Sequence, residues 1–147
     1  MLPRMSAKLP TLAGTMTPFP YSIPPGATLH EARKTMQEHG IHHLPVQRGD
    51  AILGMVATED LLAAEARGDD FGSTSVAQVY VSDPYVVDLH APLVGVVREI
   101  GRRRIDSAVV TREGKLAGIV TTTDICEAFA DFLQEVAQPP PPGGSAA

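Results

Sequence analysis

The sequence contains no tryptophan and a single cysteine, and aromatic residues make up only 5% of its 147 residues. The lone Cys126 excludes an internal disulfide. Acidic residues outnumber basic ones by 17 to 12, and the net charge of −5 is not the positive field that nucleic acids or anionic membranes attract. No apolar run approaches the roughly 18 residues needed to cross a bilayer. We therefore expect no nucleic-acid partner and no direct membrane insertion.

The rest of the composition is typical of a folded domain. Hydrophobic residues make up 44% of the chain, close to the average for globular proteins. A chain of 147 residues has room for one compact domain or for two small units that share a core. The first residues lack the continuous apolar stretch of a secretion signal. Together with the single cysteine, this predicts a cytoplasmic location.

Residues that lie 64 positions apart match without a gap over most of the chain. An ungapped match of this length indicates an internal duplication, so the chain is predicted to be a tandem repeat. The identical pairs include Pro20 with Pro84, Tyr21 with Tyr85, Ala27 with Ala91, Leu29 with Leu93, Ile41 with Ile105, Val46 with Val110, Gly54 with Gly118, Val56 with Val120 and Asp60 with Asp124.

Each copy is predicted to form a short strand, a helix, two strands and a second helix. In the first copy, Thr28 and Glu31 have the spacing of a capping box, and Gly40 is placed to end the helix that they begin. A polar turn between two apolar runs then predicts a hairpin. In the second copy, we expect Thr122 or Thr123 to cap the final helix.

The fold class predicted from this pattern is mixed α/β (α+β), with two β-α-β-β-α repeats. Strand sets this short expose an apolar face that one copy cannot cover, so the copies must pack together. A pseudo-twofold axis between them would create two quasi-equivalent clefts. The predicted boundaries are an N-terminal extension over residues 1–10, repeats over 11–70 and 71–136, and a disordered Pro/Gly-rich tail over 137–147.

Three segments of the repeat resemble a known family. Residues 40–46 (GIHHLPV), 54–61 (GMVATEDL) and 118–125 (GIVTTTDI), with the lead-in at residues 16–18 (MTP), are similar to the cystathionine beta-synthase (CBS) domain pair, or Bateman module. The resemblance covers about residues 11–134. It implies a regulatory module, standing alone or fused to an effector, that binds an adenosine-containing ligand such as AMP, ADP, ATP or S-adenosylmethionine. It also implies a homodimer that signals to an effector protein, with no cofactor required.

The repeated motif has a physical basis for binding a nucleotide. A buried strand runs into the first turn of a helix, where free backbone N–H groups and the helix dipole favour a phosphate. A threonine hydroxyl can add a hydrogen bond, and the aspartate in the first turn can accept from both hydroxyls of a ribose. Threonine and aspartate are also ordinary caps at a helix start, which need no ligand.

By the resemblance, the cleft at Asp124 is the better equipped, because Thr121 supplies the hydroxyl and Thr17 reaches over from the lead-in to the other repeat. On the facing strand we expect Asp106 and Ser107, where related proteins often have basic phosphate contacts. The carboxylate of Asp106 would repel a polyphosphate unless nearby Arg102, Arg103 or Arg104 compensates for its charge.

The cleft at Asp60 lacks the hydroxyl, because Ala57 stands in its place, but is expected to contain His42 and His43. We favour the hypothesis that these histidines serve a ligand held by Asp124. No catalytic or metal residue is predicted. The residues assigned to ligand binding are Thr17, Pro18, Tyr21, His42, His43, Asp60, Tyr85, Arg104, Ile105, Asp106, Ser107, Thr121 and Asp124.

The histidines allow two other interpretations. Alternation along a strand sends His42 and His43 to opposite faces, so at most one is expected in a given cleft. A metal site built from His30, His39 and this pair is disfavoured, because Gly40 ends the helix before them and no cysteine supports the set.

An enzymatic function is not expected. Cys126 has no nearby histidine in sequence, and the chain has no Gly-rich phosphate loop or metal signature. Two hypotheses remain: a sensor of an adenosyl ligand, or a ligand-free module for dimerisation and protein interaction. The last helix has more apolar residues than one side needs, and they would either form a dimer surface or pack in the core, namely Ala128, Phe129, Phe132 and Leu133.

Overall fold

A computed structural model of the chain describes residues 8–18 and 20–138. The predicted tail from residue 139 onward and residues 1–7 of the predicted extension lie outside the described residues. The elements of the first repeat are α1 (Leu12–Thr15), β1 (Thr17–Pro18), α2 (Leu29–His39), β2 (His43–Arg48), β3 (Ala51–Ala57) and α3 (Thr58–Arg67). Those of the second repeat are a 3-10 turn (Val76–Gln78), β4 (Val81–Ser82), β5 (Val86–Asp88), α4 (Leu93–Arg103), β6 (Ser107–Arg112), β7 (Lys115–Thr121) and α5 (Thr122–Ala137).

The two repeats exchange their lead-in strands. β1, from the first repeat, pairs antiparallel with β7 of the second, with Thr17 opposite Ile119. β4 pairs in the same way with β3 of the first repeat, with Val81 opposite Met55. The sheets therefore have the orders β1-β7-β6-β5 and β2-β3-β4. This confirms the predicted two-repeat α/β fold, and it brings Thr17 to the second repeat, as the resemblance implied.

Each repeat has its own apolar core, and a third cluster joins the two. The first core packs α2 and α3 against β2 and β3, and the second packs α4 against β5, β6 and β7. Between the sheets, Met55 packs with Val109 and Ile119, with relative exposures of 8%, 0% and 6%. Neither sheet could keep these side chains from water alone, so burial holds the repeats together.

The helix ends follow from local sequence. The hydroxyl of Thr28 accepts from the Glu31 N–H at 3.1 Å, and the Glu31 carboxylate accepts from the Thr28 N–H at 3.3 Å, which confirms the capping box. Gly40 ends α2 with a left-handed φ of 62°, as predicted. The prediction that Thr122 or Thr123 caps the last helix was wrong. The cap is Thr121, whose hydroxyl accepts from the Asp124 N–H at 3.2 Å, because the helix begins directly where β7 ends.

Candidate functional site

The structure has two clefts between the repeats, one at each aspartate. The cleft at Asp124, called here the Asp124 cleft, has a volume of about 520 Å³, within the roughly 300–1,000 Å³ usual for small-molecule sites. It combines β1 and α2 of the first repeat with the β7–α5 junction of the second. Eight of the predicted binding residues line it: Thr17, Pro18, Tyr21, His42, His43, Asp106, Thr121 and Asp124.

The second cleft, called here the Asp60 cleft, is much smaller. Its volume is about 180 Å³, below the usual range for a small organic ligand. Val81, from the exchanged strand β4, lines it at the position that Thr17 has in the other cleft. The predicted residues that line it are His43, Asp60, Tyr85, Ile105, Asp106 and Ser107. The two clefts are therefore equivalent in position but not in capacity.

Both aspartates also cap the helix that they begin. Asp124 Oδ2 accepts from the Thr121 N–H at 2.9 Å, and Asp60 Oδ2 accepts from the Ala57 N–H at 2.8 Å. The ordinary capping role is thus present at both sites. The second carboxylate oxygen of each residue, Oδ1, makes no hydrogen bond to the described part of the chain, so it is available to accept from a ligand hydroxyl.

The facing strands are arranged differently from the prediction. By their position in the repeat, His42 and His43 were expected in the Asp60 cleft, but both line the Asp124 cleft, and His43 lines the Asp60 cleft as well. This placement agrees with the favoured hypothesis that the histidines serve a ligand held by Asp124. Ser107, expected opposite Asp124, lines the Asp60 cleft instead. The reason is the packing of the repeats, which sets the motif of one repeat against the β2 or β6 region of the other.

The expectation that at most one histidine of the pair enters a given cleft was also wrong. Strand β2 begins at His43, so His42 precedes the strand and alternation does not apply to it. His42 Nδ1 lies 3.2 Å from the hydroxyl of Thr58. His43 Nε2 lies 3.1 Å from Asp106 Oδ2, which makes the two residues a shared wall between the clefts.

An aromatic pair closes one side of the Asp124 cleft. The rings of Tyr21 and His39 are stacked, with centroids 3.7 Å apart and 12° between their planes. The equivalent pair in the other repeat is Tyr85 with Arg103, whose guanidinium lies 4.5 Å from the ring centroid. Sequence reasoning missed His39, although the 64-residue offset places it opposite Arg103. Arg104 is exposed at the end of α4 and lines neither cleft.

The Asp60 cleft carries an excess of negative charge. Burial raises the pKa of Asp60 above its usual value of 3.8, and the nearby carboxylates of Glu59 and Asp106 raise it further. Arg102 and Arg103 both donate to Glu99 at 2.6 Å, which lowers the pKa of that carboxyl to about 2. These arginines are thereby held on α4 by an acid of their own helix. We conclude that these arginines do not neutralise the negative charge of the Asp60 cleft.

Comparison with known proteins identifies the family. The model for the CBS domain matches the chain twice, over residues 12–67 and 76–131. The chain belongs to the CBS domain family. Among curated proteins, it is similar to the inosine-5'-monophosphate dehydrogenase of Korarchaeum cryptofilum, with 32% identity over 105 residues. That match covers 71% of this chain but 21% of the relative, so the chain spans about a fifth of that enzyme's length.

Solved CBS structures share the fold. The CBS domain of a bacterial CNNM/CorC family Mg²⁺ transporter, solved in complex with ATP, is 30% identical, with a TM-score of 0.71 over 82% of this chain and 87% of that one. The CBS domain pair of protein MJ0100, solved with 5'-methylthioadenosine and S-adenosylmethionine, has a TM-score of 0.75 at 19% identity and covers 84% of this chain and 98% of that one. Among the described residues, no helix has the length and apolar character needed to cross a membrane.

Proposed function

We propose that this CBS pair is a regulatory module that binds an adenine nucleotide in the Asp124 cleft and passes the signal to a partner protein. The observation that carries the proposal is the convergence of Thr17, Thr121 and Asp124 on one cleft of about 520 Å³. A cleft of that size accommodates a small organic ligand, whereas the Asp60 cleft, at about 180 Å³, is below the usual range. One nucleotide per chain is therefore proposed.

Each part of a nucleotide has a matching group in the cleft. The free oxygen of Asp124 would accept from the ribose hydroxyls. The Thr122 and Asp124 N–H groups already donate to the Asp106 carbonyl and the Thr121 hydroxyl. The Thr123 N–H at the start of α5 would therefore hold the phosphate, with His42 on the opposite wall, because the N-terminus of a helix attracts anions. The stacked rings of Tyr21 and His39 offer an apolar edge for the base. The carboxylate of Asp106 favours a monophosphate over a longer chain of charges.

Likeness to relatives supports the ligand class. The transporter CBS domain, at 30% identity, was solved with ATP. In this chain, AMP, ADP, ATP and S-adenosylmethionine are the candidate ligands. A ligand in the cleft would touch both repeats, so its binding energy would favour one relative orientation of them, and a partner could read that change.

Calorimetry with the four candidate ligands tests the proposal. Wild type should bind at least one of them, and Asp124→Ala should abolish binding, while Asp60→Ala should weaken it less. Asp124→Asn is the matched variant, because its amide oxygen can still accept from the Thr121 N–H and preserve the cap. Thermal melts must show that the variants are folded. Absence of binding by wild type, or equal loss in the Asp124→Ala and Asp60→Ala variants, would overturn the proposal.

We further propose that the module is a homodimer formed through α5. No residue of this helix is buried, and Phe129 and Leu133 are 57% and 49% exposed. The two residues are four positions apart and so lie side by side on one face of the helix, and an exposed apolar patch of this kind is typical of an interface. Light scattering should give the mass of a dimer for wild type and of a monomer for Phe129→Glu. A monomeric wild type would contradict the interface and would leave nucleotide binding as a separate question.

A further inference from the structure

The Asp60 cleft has the opposite electrostatic character from a phosphate site. Four acidic residues line it, together with the basic residues Arg103 and His43. The guanidinium of Arg103 is engaged by Glu99 at 2.6 Å and by the ring of Tyr85. The four carboxylates belong to Glu59, Asp60, Asp83 and Asp106. An anion would be repelled here, and a cation would be attracted.

Three side chains in this cleft converge as a ligand set. One ligand atom each from His43, Glu59 and Asp106 lies within 4.8 Å of the other two. The His43 side chain is 15% exposed, and its Nε2 lies 3.1 Å from Asp106 Oδ2. Glu59 makes no ion pair with any residue that the structure describes. An imidazole nitrogen and two carboxylates, one of them without an ion pair to the described residues, thus lie close enough together to share one metal ion.

The backbone holds the three residues in place. His43 pairs across the β2–β3 hairpin with Ala57, and Glu59 follows two residues later in the first turn of α3. The backbone carbonyl of Asp106 accepts from the Thr122 N–H at 3.0 Å, so this residue is fixed to the start of α5. The donors therefore come from both repeats, and the backbone at each of them stands on or beside a regular element.

We propose that a divalent transition metal of the zinc class binds to His43, Glu59 and Asp106 and links the two repeats. Zinc accepts imidazole and carboxylate ligands, and three protein ligands leave one position open toward the cleft. Magnesium prefers an all-oxygen shell and is a poorer match for the imidazole. His43 and Asp106 belong to the wall that the two clefts share, but Glu59 lines the Asp60 cleft and not the Asp124 cleft, so metal binding here needs no nucleotide.

The duplication gives an internal comparison. At the three positions that correspond by the 64-residue offset, the other repeat has Ser107, Thr123 and His42. Two hydroxyls and one imidazole are a much weaker set for zinc than an imidazole with two carboxylates. The ligand set is therefore particular to the Asp60 cleft and does not follow from the architecture that the two clefts share.

Calorimetry of the full chain with Zn²⁺ alone tests the site, with no nucleotide present. The background is Cys126→Ser, because Cys126 is exposed and would bind zinc by itself. We expect one zinc per chain and a Zn²⁺-dependent rise in the melting temperature. Mg²⁺ alone should bind at least tenfold more weakly. No binding of Zn²⁺ at 100 µM, or Mg²⁺ binding of equal strength, would overturn the proposal.

Matched variants locate the metal. Glu59→Gln and Asp106→Asn should each weaken zinc binding at least tenfold. His42→Gln, which changes the histidine beside His43, should bind as the unsubstituted background does. Glu59 is exposed on the first turn of α3, so its variant should fold, and its melting curve without zinc verifies this. Zinc binding that persists in both carboxylate variants, or that is lost in His42→Gln alone, would show that the site lies elsewhere.

Discussion

Gly118 lies directly against Met16. A Cβ atom on this glycine would stand 2.5 Å from the Met16 sulfur and 2.9 Å from the carbonyl oxygen of Thr17. The contact exists because the exchanged strand β1 crosses β7 here, with Pro18 opposite Gly118. The missing side chain therefore allows the lead-in to reach the second sheet and to place Thr17 in the Asp124 cleft.

Replacing this glycine should loosen the exchange. We expect Gly118→Ala to lower the free energy of unfolding by about 1–3 kcal/mol, because a methyl group in a filled space displaces its neighbours. The same change should weaken nucleotide binding through the displacement of Thr17. Urea denaturation and calorimetry measure the two effects.

Gly95→Ala is the matched control for this substitution. Gly95 lies within α4, and nothing stands within 4 Å of a Cβ placed on it. Alanine in a helix is favoured over glycine by up to about 1 kcal/mol, so this variant should be more stable than wild type. If the two variants had equal effects, the contact between Gly118 and Met16 would not be the cause.

The sequence was sufficient to predict the fold because the duplication is ungapped. Gly54 corresponds to Gly118 by the 64-residue offset and is packed in the same way, against Tyr80 and the Val81 carbonyl. The structure of one repeat therefore predicts that of the other. The capping box at Thr28 and the end of α2 at Gly40 depend on neighbouring residues only. Local chemistry of this kind is visible in a single sequence.

The composition of each cleft could not be predicted in the same way. Which repeat faces the motif of the other depends on how the sheets pack through Met55, Val109 and Ile119, a long-range arrangement without a local signal. For that reason Ser107 was assigned to the wrong cleft, and the position of His42 in its repeat did not show by itself that it lines the Asp124 cleft. Glu59 was missed because a second acidic residue in a first turn is typical of an ordinary helix start.

Substitution of the N-cap residue should change stability in opposite directions at α3, which begins after Ala57, and at α5, which begins after Thr121. The Thr121 hydroxyl accepts from the Asp124 N–H, whereas Ala57 offers no acceptor to the Asp60 N–H. Thr121→Ala should therefore destabilise the fold by about 1 kcal/mol, and Ala57→Ser should stabilise it by a similar amount. Urea denaturation without ligand measures both. The interpretation fails if Ala57→Ser destabilises the protein or if Thr121→Ala is neutral.

Removing the charge of Asp60 should stabilise the ligand-free protein at neutral pH. Folding raises the pKa of this carboxyl, chiefly by burial, so the protonated form favours the fold and the ionised form opposes it. Asp60→Asn keeps an acceptor for the Ala57 N–H and removes the charge. Relative to wild type, the variant should gain stability as the pH rises from 3.8 and should level off near neutrality. A gain that is independent of pH would exclude this cause.

Glu99 should show the opposite trend. Hydrogen bonds from Arg102 and then Arg103 lower its pKa from an ordinary 4.5 to about 2, so the ionised carboxylate favours the fold. Its contribution is fully present above pH 4.5 and is lost as the pH falls through about 2. Wild type should therefore exceed Glu99→Gln in melting temperature at pH 6, and the difference should shrink between pH 4.5 and 2. Paired melts at low salt measure it, since salt screens an exposed ion pair. A constant difference across this range would mean that the glutamate acts through packing and not through its charge.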